Sequence, residues 1–275
     1  MLFQGLTALS SVLLFSTLSH ALPAPGSLGI SKGRETKRAT PNIVGNLVKR
    51  ADPTIGNGID TSDPYRGGKL VAPQGSTDGG FSNALQLMSY ATTLPDDSTD
   101  PIFNKYFNPG DKQTVTNVFS RLLGSDGISG AAELADIVVT TGDVPADDPA
   151  FAFLDDETTP NPTMILTDDA FVYPNRDEAE GCDAWKDGMT QDMYLLGSML
   201  LHEYTHWDWF LTSITNGEVE DQEDGYGWEA ARALDKSLAI YNADSYAWYA
   251  TELLWATLCN VPGGYNAPGV ERRSV

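Results

Sequence analysis

Histidine is nearly absent from this chain, with three in 275 residues. Basic residues are scarce as well: 17 Lys and Arg stand against 38 Asp and Glu, a formal net charge of −21. An acidic surface of that size repels nucleic acid and anionic membranes, which argues against both as partners. It fits a soluble protein working in acidic surroundings or on basic substrates. No apolar run reaches the length of about 20 residues that a membrane-spanning helix needs. Internal repeats are missing too. No usable N-glycosylation site exists, because the proline of Asn161-Pro162-Thr163 disqualifies that triplet. What remains is ordinary for a folded protein, 41% apolar and 10% aromatic, with length enough for a real core.

The first 50 residues differ from the rest. Residues 5–17 form an apolar run, and Ser19-His20-Ala21 offers small residues where a signal peptidase cuts. Met1 to Gln4 carry no basic residue, so the charged start of such a leader is missing. Residues 1–21 still read as a secretory signal peptide, with a buried N-terminal helix as the alternative. Residues 22–50 hold six Lys and Arg against one acid, Glu35, and contain the dibasic pairs Lys37-Arg38 and Lys49-Arg50. They read as a basic propeptide ending at the second pair, the alternative being a merely basic tail. Removing residues 1–50 leaves 11 basic and 37 acidic residues, a net charge of −26. Residues 51–275 are then the working domain of an extracellular protein.

Along that domain, residues 51–77 read as an extended arm. Helices are expected over Asp78–Leu94, Pro101–Phe107 and Asp111–Leu123, with Asp111 as N-cap and Gly124 as C-cap. Four candidate strands follow, at 135–141, 151–154, 163–167 and 170–173. A long helix is expected from Thr190 to at least Leu211, then an Asn216-Gly217 turn, an acidic loop over 217–227, and helices at about 228–239 and 243–258. Trp207, Trp209, Trp248 and Trp255 read as core. Cys182 and Cys259 are the only cysteines. An even count in a secreted chain predicts one disulfide, and two buried free thiols are the alternative. Neither cysteine sits in a short pair of metal ligands.

Within the long helix stands His202-Glu203-Tyr204-Thr205-His206. Residues four apart share a helix face, so His202 and His206 can hold one metal ion, with Glu203 placed to act as general base on its water. This is the H-E-x-x-H zinc-hydrolase pattern. Once the leader carrying His20 is gone, these two are the only histidines left, so a catalytic zinc must take a carboxylate or a cysteine as third ligand. That excludes zincins with a third histidine. Asp221, Glu223, Asp224 and Glu229 are the candidates.

HEYTH, the acidic loop ending in Gly225-Tyr226-Gly227, and Asn242-Ala243-Asp244-Ser245-Tyr246 together resemble the deuterolysin or aspzincin group of secreted fungal zinc metalloendopeptidases, which includes the lysine-specific members. The motifs cover about residues 198–250. The resemblance implies an α+β, zincin-like fold, mainly helical, with a small sheet beside the metal helix. It also implies one zinc per chain, protein or peptide substrates, and a monomer. It makes Glu203 the base and Tyr226 the donor to the oxyanion, a core tyrosine being the alternative for Tyr226. Asp244 would face the residue after the scissile bond, preferring Lys or Arg there; capping the last helix or anchoring Tyr246 is the alternative. The chain departs from the family at the third ligand. In place of Gly-Thr-x-Asp it has Val219-Glu220-Asp221, which favours Asp221, whereas counting back from Tyr226 points to Glu223. A second reading of the whole is a secreted zinc-binding or surface antigen protein on the same fold, without peptidase activity.

Overall fold

A computed structural model describes residues 52–71, 78–93, 100–125, 133–143 and 150–265. The expected leader (1–21), the basic segment (22–50) and both dibasic pairs lie outside the described residues. The elements in chain order are β1 (Thr54–Ile55), α1 (Gly67–Leu70), α2 (Gly80–Thr93), α3 (Phe103–Tyr106), α4 (Lys112–Leu122), β2 (Val138–Thr141), β3 (Ala152–Asp155), β4 (Thr163–Leu166), α5 (Leu196–Thr205), α6 (Asp208–Thr215), α7 (Trp228–Ala233) and α8 (Ala243–Leu258). The fold is mixed, with helices dominating and one four-stranded sheet of order β1-β2-β4-β3. β1, β2 and β4 run parallel and β3 is antiparallel to β4, with Phe153 opposite Ile165 and Leu154 opposite Met164.

Three helices build the support for the HEYTH segment. α5 packs against both α2 and α8, and α2 packs against α8. α2 and α5 approach so closely at Gly197 that an added Cβ would lie 2.6 Å from the backbone nitrogen of Ala84. α8 is buried on every side from Ala243 to Ala256, as a helix does when it runs through a core rather than along a surface. Its Tyr246 and Tyr249 meet Phe103, Phe107 and Phe119 with ring centroids 5.2–6.0 Å apart, mostly edge to face. β3 lies against α5, which sets the sheet beside the helix with the two histidines.

Several expectations need correction. Residues 54–55, read as part of an arm, form an edge strand, because their backbone pairs with Val138 and Val139. The segment read as a fourth strand at 170–173 is a 3-10 helix over Asp168–Val172. The long helix begins at Leu196 rather than Thr190, and the next one, expected to reach 239, ends at Ala233. The long helix is also broken at His206-Trp207. There the buried Trp207 turns its indole N–H to the Thr159 carbonyl (2.8 Å), while Trp209 N–H bonds Glu157 O (3.0 Å). The 155–159 turn thus takes the Trp209 backbone N–H, a donor that a continuous helix would spend on itself, and anchors the Trp207 indole beside it. Trp209, read as core, is 54% exposed and stacks on Trp207. As expected, Cys182 and Cys259 are joined in a disulfide, 77 residues apart in sequence.

Candidate metal centre

α5 carries His202 and Glu203 in its last turn, and His206 is its C-cap. Each imidazole is held from behind. His202 Nδ1 lies 2.8 Å from Asp244 Oδ1, and His206 Nδ1 lies 2.8 Å from the Val219 carbonyl oxygen. A carbonyl oxygen or a carboxylate only accepts, so both Nδ1 atoms donate, and each neutral ring presents a bare Nε2 lone pair on its other side. Those two Nε2 atoms stand 3.2 Å apart. Asp221 Oδ1 completes a triangle with them, 3.1 Å from His202 Nε2 and 3.6 Å from His206 Nε2. Three electron-rich atoms facing one another repel unless a proton or cation lies among them.

The titration of the groups carries the same message. Burial would depress His202, but the carboxylates of Asp221 and Asp244 outweigh it and carry its pKa well above that of an ordinary imidazole. His206 is raised as well, burial being overcome first by its bond to Asp221. Burial alone would lift Asp221, yet the two histidines hold it far below the usual carboxylate range. Among the described residues, His202, His206 and Asp221 are the one group of three with ligand atoms within 4.8 Å of one another. Two imidazoles and one carboxylate, each imidazole backed by an acceptor, suit a divalent metal such as zinc.

Of the other three candidates for third ligand, Glu223 and Asp224 sit exposed on the 3-10 turn Glu223–Gly225, and Glu229 is exposed on α7. The structure brings none of them to the histidines. Glu203 is buried beside the triangle, and burial raises its pKa against the pull of the two histidines. Tyr226 is 49% exposed, so it is not a core tyrosine, and its ring lies 6.0 Å from that of His202. Burial of its hydroxyl end, then Asp244, Asp221 and Glu203, push its pKa above the ordinary phenol value. It stays protonated and able to donate.

Asp244, expected to face a substrate or else to cap the last helix or anchor Tyr246, stands behind His202. It is buried, its Oδ1 accepts from His202 Nδ1, and its Oδ2 accepts the Gly227 N–H. Two tyrosines that sequence reasoning did not single out also crowd this region. Burial and then the Asp244 charge push Tyr173 up to about 12, and the same two causes raise the buried Tyr194. No sequence pattern marks them, since both arrive from the segment ahead of α5.

No family model matches the chain. It is 26% identical over 181 residues to a neutral protease 2 homologue of Aspergillus flavus, covering 63% of this chain and 55% of that protein. Neutral protease 2 of Aspergillus oryzae is 26% identical over 181 residues, covering 63% and 44%. Penicillolysin of Penicillium citrinum is 26% identical over 178 residues, with the same two coverages. The chain thus spans about half the length of the curated relatives it matches. These relatives are deuterolysin-family fungal metalloendopeptidases, so the resemblance drawn from three short motifs extends over most of the chain.

Proposed function

We propose that the chain is a secreted, zinc-dependent endopeptidase with a zincin-like fold, made with a leader at 1–21 and a basic propeptide at 22–50. The observation that carries this reading is the triangle of His202 Nε2, His206 Nε2 and Asp221 Oδ1 with Glu203 buried alongside. His202, His206 and Asp221 would hold the ion. Zinc bound by three protein ligands supplies Lewis acidity, bringing the pKa of a water to about 7. Glu203 takes the proton of the attacking water on its carboxylate as the carbon–oxygen bond forms, and returns it to the amine nitrogen as the peptide C–N bond breaks. The raised pKa of Glu203 suits both halves of that transfer. The Tyr226 hydroxyl donates a hydrogen bond to the oxygen that gains charge. Asp244 and the Val219 carbonyl keep each histidine in the Nδ1–H tautomer, with Nε2 free for the ion.

The test uses purified protein, casein and a chelator. One zinc per chain and chelator-sensitive cleavage are expected. Glu203→Gln should keep its zinc and lose about 10²–10⁴ in rate. Full activity in that variant would sink the mechanism. Zinc binding by the wild type with no cleavage under any condition would favour the alternative, a secreted zinc-binding protein. An intact Glu203 argues for the enzyme, because holding a metal needs no general base.

A further inference from the structure

An asparagine at a helix N-cap ordinarily turns its side-chain oxygen back onto a backbone N–H in the first turn of that helix. Asn242 holds this position ahead of α8, with φ −118° and ψ 116°, and its side chain makes no such bond. The residue is 1% exposed, and its side chain has other partners. Its Oδ1 accepts the Gln222 N–H at 3.2 Å, and its Nδ2 donates to the Gly225 carbonyl at 3.2 Å and to Ser245 Oγ at 2.9 Å. The backbone beside it adds two more ties. Glu220 N–H bonds Tyr241 O at 3.0 Å, and Ala243 N–H bonds Glu220 O at 3.1 Å. Residues 220, 222 and 225 are therefore all fastened to the start of α8, and Asp221 lies between the first two.

We propose that Asn242 is a positioning residue for Asp221. This rests on the reading of His202, His206 and Asp221 as the zinc site. Asp221 is on an exposed stretch of loop, its side chain 47% accessible. A carboxylate on an unfastened loop would have to be ordered each time a metal binds, at the cost of its conformational entropy. By giving its amide to the loop as well as to the Ser245 hydroxyl of its own helix, Asn242 does that ordering in advance, leaving the Asp221 carboxylate directed at the two Nε2 atoms.

The experiment is a double-mutant cycle on the full chain, with zinc affinity measured by competition against a chromophoric chelator. Asn242→Ala should weaken zinc binding about 10- to 100-fold, and should have no further effect in an Asp221→Ala background. Equal losses in both backgrounds, or no loss in the wild-type background, would overturn the role. If Asn242→Ala fails to fold, Gly225→Ala takes its place. Its Cβ would meet the Asn242 amide at 2.8 Å and displace the loop from the same group, so the same pattern across the cycle is expected. A wild type that binds no zinc overturns this role together with the metal reading beneath it. Tight wild-type binding with unchanged affinity in Asn242→Ala overturns the positioning role alone.

Discussion

At the residue scale, the metal-free triangle is stabilised by protons, and those protons compete with zinc. His202 and His206 have raised pKa values in the fold. Their contribution to stability is therefore fully present below the unfolded histidine value of about 6.5 and is lost as pH rises through the folded values. Asp221 has the opposite sign: its lowered pKa stabilises the fold above about pH 3.9, so it does not change over the range in question. The metal-free protein should thus lose stability as pH rises above about 6.5 and on through the raised histidine values, while zinc binds better because fewer protons must leave. Thermal unfolding with and without zinc should show the gap in Tm widening over that range. A gap that narrows would place zinc elsewhere. The histidines and Glu203 were legible in HEYTH because a helix converts i,i+4 spacing directly into a shared face. Asp221 was favoured among four carboxylates only through the family resemblance, since no spacing rule says which residue of a loop turns inward. Asn242 stood out only as part of a motif: a helix cap predicts a bond to its own helix, and only the fold shows the amide also tied to a loop 17–20 residues away.

At the scale of elements, α8 carries a second cluster of buried charges, away from the triangle. Glu252 is fully buried. Its Oε1 accepts from Lys105 Nζ at 2.6 Å and from Tyr265 N–H at 2.8 Å, and its Oε2 accepts from Arg232 Nη2 at 2.6 Å. Lys105 also donates to the carbonyls of Gly263 and Tyr265, so α3, α7 and the chain after α8 meet on one carboxylate. Burial lowers the Lys105 pKa and the Glu252 charge opposes that shift. Glu252→Ala would leave two cations without their counter-ion, and urea denaturation should show a loss of about 3–5 kcal/mol. A loss under 1 kcal/mol would mean that water replaces the carboxylate easily. The boundaries of α2, α4 and α8 followed from apolar periodicity, although Asp111, the expected N-cap of α4, makes no side-chain cap bond and the C-cap of that helix is Leu123. The break after α5 did not, because Phe210 and Leu211 continue the apolar pattern while the Trp207 and Trp209 bonds to the 155–159 turn lie outside any local window. β1 is two residues long and exists only through its pairing with β2, so its own sequence says little about it.

At the scale of the whole molecule, the chain joins a large acidic excess to a single crosslink. The Cys182–Cys259 disulfide connects the segment entering α5 with the end of α8. A loop of that length implies about 4 kcal/mol of stabilisation in the chain-entropy account. Replacing both cysteines by serine should lower Tm, and the deficit should reappear when the wild type is measured under a reductant. Equal Tm values with and without reductant would mean that the packing of α5 against α8 suffices alone. No helix among the described residues is long and apolar enough to cross a membrane. The crosslink has one more consequence. His202, Glu203, His206, Asp221, Tyr226, Asn242 and Asp244 all lie between its two cysteines, so the site sits inside one covalent ring. A backbone nick within the exposed acidic loop would open that ring without releasing a fragment, and the two arms would stay tethered. A single cut there would leave the site's residues in one molecule.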